Sequence, residues 1–202
     1  MKLREHAVLM AGYNRWMNDK VYASAARLPH EAVAEDRGAF FGSILRTLNH
    51  LLVADLIWLH RFASYHPTRF EMLSPIRNTA PPTAIDQLLH DRLAPLQAQR
   101  SELDARIEAW AGCLTDADLD HVLVYANTKG VVSHRDFGGL VMHFFNHQTH
   151  HRGQVTTLLT QVGEDVAGLN RAVVDAGPVA QRTAEHDGRG HIDGLHAIAQ
   201  VP

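Results

Sequence analysis

The chain has 202 residues, 46% of them apolar and 20% charged, enough for one domain that buries a proper core. A formal charge of −3 offers no general attraction to a phosphate backbone, so no nucleic acid is expected as a partner. The single cysteine excludes an intramolecular disulfide, a thiolate cluster and a Cys-x-x-Cys redox pair, and with no long apolar run at the N-terminus or elsewhere a cytoplasmic protein without a membrane partner is expected.

Leu3 to about Arg27 predicts a first helix, because Val8, Leu9, Tyr13, Trp16, Met17 and Val21 recur at three- and four-residue intervals. Leu28-Pro29 ends it, and the polar segment HEAVAEDRGAF reads as a short connection. A second helix, about Phe41 to Tyr65, is apolar over most of its circumference and is expected to be central. In it His50 shares a side with Ala54 and Ile57, while His60 falls near the polar side with Asn49. Taken alone, His50 is a core imidazole donating to a backbone carbonyl, or a partner for Asp55. Asp55 either pairs with a cation such as Arg61 or orients a metal ligand from behind.

From His66 to Pro82 four prolines and a lack of periodicity predict a long loop across one end of the bundle. Thr83 is expected to cap a third helix through about Trp110, with Leu88, Leu89, Leu96, Leu103 and Ile107 facing the core and a kink around Asp91 to Pro95. Cys113 reads as a small buried residue at a helix end. In HVLVYANTKGVVSH two β-branched runs flank Asn-Thr-Lys-Gly, which predicts a short hairpin lying against the helices, with Tyr125 as a candidate for a cavity rim.

The last helix is expected from Ser133, which forms a Ser-x-x-Asp capping pattern with Asp136, to Val162. At about 100° per residue, Leu140, Phe144, His147, His151, Val155, Leu158 and Val162 fall within a sector of about 80°, so both histidines point inward. Being i and i+4, their ring nitrogens reach one ion at about 2.0–2.1 Å. His143 and His150 lie at the edge of the stripe. A lone core histidine is most simply satisfied by hydrogen bonds. Two in register on an apolar stripe bring donors and acceptors where little else pairs them, and a shared cation is the economical solution. After Val162 the pattern fails. Residues 1–165 are expected to form the domain and 166–202 a poorly ordered tail, with a short helix at Leu169 to Ala176 and incidental histidines at His186, His191 and His196.

Three stretches carry a resemblance: HFFNHQTHHRGQVTTLL at His143 to Leu159, TLNHLLVADLIWLHRF at Thr47 to Phe62, and YNRWMNDKVY at Tyr13 to Tyr22. Over about its first 165 residues the chain resembles the DinB family of small helical proteins, in the wider group that includes thiol-dependent transferases and maleylpyruvate isomerase. The resemblance implies an all-α fold, a four-helix bundle with a small β-hairpin between its third and fourth helices. It also implies one divalent metal ion held by His50, His147 and His151. The family's name is no sign of DNA binding, and beyond Val162 the sequence departs from the family's usual short ending.

Three neutral imidazoles describe an open site whose fourth position takes water or a substrate atom, where a cation lowers the pKa of water or of a thiol. Zinc and nickel both suit imidazole ligands. No HExxH and no helical Glu-x-x-His motif is present, which disfavours a zincin protease or a ferritin-like di-iron centre. His143, His150, Gln154, Asp55 and Tyr125 are candidates for orienting the ligands or lining the rim, and Asp55, Tyr125, Gln154 and Asp19 for a general base. Two function classes follow. One is a metal-dependent enzyme that transfers a low-molecular-weight thiol or hydrolyses a small substrate. The other is a non-catalytic metal-binding or stress-response protein paired as a homodimer.

Overall fold

The first helix, α1 (Leu3–Ala25), runs where its periodicity places it, but its inward face is turned. Ala7, Ala11, Asn14, Asn18, Val21 and Tyr22 are buried, while Val8 is exposed. The cause is polar: Asn14 and Asn18 donate to the buried carboxylate of Asp104 at 2.9 Å, and that pairing outweighs the burial of one valine. The structure, a computed structural model, describes residues 1–127 and 130–166.

The segment read as a polar connection contains a short helix, α2 (His30–Ala34), with Pro29 at its N-cap and Val33 buried beneath it. Ser43 then caps α3 (Ile44–Tyr65), its hydroxyl accepting from the Arg46 amide at 3.1 Å. This helix is central, as expected. Leu45, Leu48, Leu52, Val53, Leu59 and Phe62 are buried around nearly its whole circumference.

The expected long loop after α3 is interrupted by a 3-10 turn, Glu71–Leu73, and by α4 (Ser74–Arg77), held down by Phe70 and Leu73, both fully buried. The third long helix starts nine residues later than expected. It is α5 (Leu93–Cys113), with Pro95 in its first turn and therefore no kink. A helix reaching further back would set the Pro95 ring against the Asp91 carbonyl, whereas in the first turn proline forfeits no hydrogen bond. Residues 78–92 stay irregular instead, and Asn49 of α3 clasps them. Its side chain accepts from the amides of Leu89 and His90 at 2.9 and 3.0 Å and donates to the His90 carbonyl at 2.9 Å. Leu88, expected in the core, is exposed, and Cys113 is only half-buried at the end of α5.

A capping box at Thr115 opens the one-turn α6 (Asp116–Leu119). The hairpin follows as expected: β1 (Val122–Ala126) pairs antiparallel with β2 (Val132–Asp136), with Val124 opposite His134. Leu123 is buried while Val122 and Val124 face outward, the alternation of a strand with one covered side. Ser133 belongs to β2, so the expected cap there does not form. Asp136 caps α7 (Phe137–Gln161) instead, accepting from the Gly139 amide at 2.6 Å. Val162, placed on the inward stripe, is only half-buried just past its end.

The four long helices form the bundle, α1 against α5 and α7, and α3 against α7 and α5. The fold is all-α with one small hairpin. Phe62, Trp110, Phe137 and Phe144 make an aromatic cluster in its core, with Phe62 and Trp110 stacked at 5.3 Å. The described residues belong to one compact unit, Met1–Gly168. The short helix expected at 169–176 and the histidines His186, His191 and His196 lie outside the described residues.

Candidate metal centre

Helix α3 contributes His50, 4% exposed, and α7 contributes His147 and His151 one turn apart, the first half-buried and the second 9% exposed. Their Nε2 atoms converge. His50 Nε2 stands 3.2 Å from His147 Nε2 and 3.2 Å from His151 Nε2, and one nitrogen from each ring lies within 4.8 Å of the others. Two imidazoles bound at about 2.0–2.1 Å to a tetrahedral ion have nitrogens about 3.3 Å apart, so the spacing matches that of a shared cation.

The far side of each ring decides its tautomer. His50 Nδ1 lies 2.7 Å from the Ile85 carbonyl oxygen, an acceptor only, so the proton sits on Nδ1 and Nε2 is bare. His151 Nδ1 lies 2.7 Å from Gln154 Oε1, and the Gln154 amide nitrogen faces His150 Nε2 at 3.2 Å, which orients the glutamine as the acceptor toward His151. Two lone pairs therefore face each other at 3.2 Å. That contact is repulsive between neutral rings and becomes attractive once a cation lies between them. His147 Nδ1 is buried, and among the described residues no group holds its ring from behind.

Phe41 covers the cluster, its ring stacked on His50 at 3.9 Å and edge-on to His151 at 5.6 Å. Burial makes a charged ring costly, so the imidazolium form is disfavoured at all three. His147 is pushed down to about 3, by burial first and then by the neighbouring His151 and His50. Burial also lowers His50, against the pull of the Ile85 carbonyl, and lowers His151, against the pull of Gln154. The rings are thus held neutral, the state in which imidazole donates to a metal.

The remaining candidates separate. Gln154 stands behind His151. His150 is exposed and bonded to Gln154. His143, also exposed, packs edge-on to Trp58 with its ring 6.1 Å from that of His147. Tyr125 rests against the other side of this rim, its ring 5.6 Å from Trp58. Asp55 pairs with a cation, as one of its two expected roles has it, but the cation is Arg100 and not Arg61. It accepts from Arg100 at 2.5 Å in a buried pair, and Arg100 also donates to Asp104 at 2.7 Å. Arg61, its expected partner, lies over Trp58 and Tyr125 instead. Asp19 is exposed on α1. Sequence reasoning missed Phe41 and the Ile85 carbonyl: it places both within helices, whereas both sit in irregular backbone ahead of α3 and α5.

The family whose model matches the chain is the DinB family, over residues 3–177. Among curated proteins, the chain is 26% identical over 163 residues to Protein DinB of Bacillus subtilis (strain 168), covering 80% of this chain and 88% of that relative. No solved structure matches the chain.

Proposed function

The chain belongs to the DinB family, and we propose that His50, His147 and His151 bind one divalent ion, zinc or nickel, making it a metal-dependent enzyme acting on a small molecule. The bare, facing nitrogens of His50 and His151 carry this reading. The three imidazoles of His50, His147 and His151 would hold the ion with a position left for water or substrate, and it would supply Lewis-acid chemistry that lowers the pKa of a water or a thiol. Around it the chain's own groups have distinct tasks. Ile85 and Gln154 keep the Nδ1 protons of two ligands in place, Phe41 excludes water from one side, and exposed His143 stands at the rim.

The reaction we favour is transfer of a low-molecular-weight thiol to a small electrophile, or hydrolysis of a small substrate. A second reading, a non-catalytic metal-binding homodimer, has one observation in its favour. Asp55, the carboxylate nearest in sequence to His50 among the candidate bases, is committed to Arg100.

Elemental analysis of purified protein tests the metal. One equivalent of zinc or nickel is expected, falling to none in the His147→Ala, His151→Ala double variant while its helical circular dichroism remains. Unchanged stoichiometry in that variant removes the site. Turnover of electrophiles with thiol cofactors, or of small esters and amides, by loaded but not double-variant protein supports the enzyme. Metal without turnover, together with a dimer by light scattering, supports the second reading.

A further inference from the structure

Eleven residues beyond His50, Arg61 returns to within about 20° of the same face of α3, roughly 16 Å further along the helix. It is half-buried and lines a pocket of about 480 Å³ with Ile57, His60, Pro82, Thr83 and Ala126. Its guanidinium lies 4.6 Å from the Trp58 ring centre and 4.8 Å from that of Tyr125, and among the described residues it meets no carboxylate. Burial pulls its pKa below that of a free guanidinium, with only Tyr125 opposing. Of the two fully buried arginines of the bundle, Arg100 has two carboxylates and Arg152 donates to the Asn14 side-chain oxygen. Here two aromatic rings contact the cation, and its N–H groups, with no carboxylate beside them among the described residues, suit an oxyanion.

The pocket is linked to the histidine cluster through neighbouring residues. Residues 80–83 line the pocket, and two residues further on the Ile85 carbonyl holds His50. Trp58, under the guanidinium, also packs on His143, the rim residue one turn before His147.

We propose that this pocket binds the anionic end of a small organic molecule, carboxylate or phosphate, with Arg61 as its cationic anchor, and that it recognises the compound acted on at the histidine cluster. The second half of that statement rests on the proposed metal-dependent function; the first does not.

Calorimetric titration of the full chain, zinc-loaded, with benzoate, phenyl phosphate and neutral benzamide tests it. At least one anion should bind, at least tenfold more tightly than benzamide. Arg61→Gln should weaken that anion by about tenfold or more. Arg61→Lys, which keeps the charge without the fork, should fall between them. A thermal melt of Arg61→Gln matching the parent shows the loss to be local. The His147→Ala, His151→Ala variant should keep the anion affinity, which separates this pocket from the metal. Whichever of benzoate or phenyl phosphate binds more tightly identifies the anionic group. The proposal is overturned if neither anion binds at millimolar concentration, if Arg61→Gln binds as the parent does, or if anion binding disappears with the two histidines.

Discussion

His50 and His151 meet nitrogen to nitrogen at 3.2 Å, each with its ring proton committed to the opposite side, to Ile85 and to Gln154. The bundle thus brings two bare lone pairs together, an arrangement that a cation stabilises and that neutral rings alone would avoid.

Gln154 therefore matters through His151. Gln154→Ala should lower metal affinity by about 10- to 100-fold, the usual cost of removing a group that orients a histidine ligand. Competition with a chromogenic chelator measures it. Affinity equal to that of the parent would show that the ring is held by packing alone.

The outer histidines should behave differently. His143→Ala and His150→Ala should each retain one equivalent of metal, because His143 is turned to Trp58 and His150 to Gln154. Complete loss of metal from His150→Ala, matching His151→Ala, would contradict this division.

Acid should act in two ways. All three cluster rings have folded-state pKa values below the ordinary 6.5, His147 at about 3. Metal affinity should therefore hold steady through pH 6.5 and fall only below it, once His50 and His151 begin to protonate. In metal-free protein the unfolded chain binds protons below pH 6.5 that the folded state refuses, so stability should decline from 6.5 downward, for His147 until about pH 3. Chelator competition and chemical denaturation at several pH values give both curves. A steep loss of affinity between pH 7 and 6.5 would place the rings in an ordinary aqueous environment.

Asp55 separates structure from chemistry. Asp55→Ala leaves Arg100, fully buried, with one carboxylate fewer, and should cost about 3–5 kcal/mol of stability while leaving the metal stoichiometry at one. Urea denaturation with metal analysis of the folded fraction checks both. Loss of metal from folded protein would return Asp55 to the role of orienting a ligand.

Two glycines of α7 offer a contrast within one helix. A methyl group on Gly138 would lie 2.8 Å from Leu3 and 2.9 Å from the Leu119 carbonyl, so Gly138→Ala should destabilise by about 1–3 kcal/mol. Gly153 has open space around it, and Gly153→Ala should stabilise by about 0.5–1 kcal/mol. A melting temperature that rises in Gly138→Ala as it does in Gly153→Ala would refute the packing at Gly138.

Much of this was legible locally. The four long helices, the hairpin and the inward pair at His147 and His151 follow from periods of 3.6 and 2, which depend only on neighbours along the chain. Even the bland expectation for His50, donation to a backbone carbonyl, is met at the same time as its ring faces the other two. Boundaries were less legible. Thr83 looked like a cap and Ser133 like another, but one lies in irregular backbone and the other in a strand, because Pro95 and the Asn49 clasp set the start of α5 and the hairpin register runs through to Asp136.

What the sequence by itself determined is which residues share a face of one helix. The rest was decided by which faces met. Arg61 and Arg100 are both within reach of Asp55 as far as composition goes, and only the packing of α5 on α3 brings Arg100 to it and leaves Arg61 on Trp58 and Tyr125. Phe41 and the Ile85 carbonyl reach His50 from loops, where the chain carries no period to read. A helix repeats and so announces its geometry from a few residues, whereas a contact between distant segments depends on every element that packs between them.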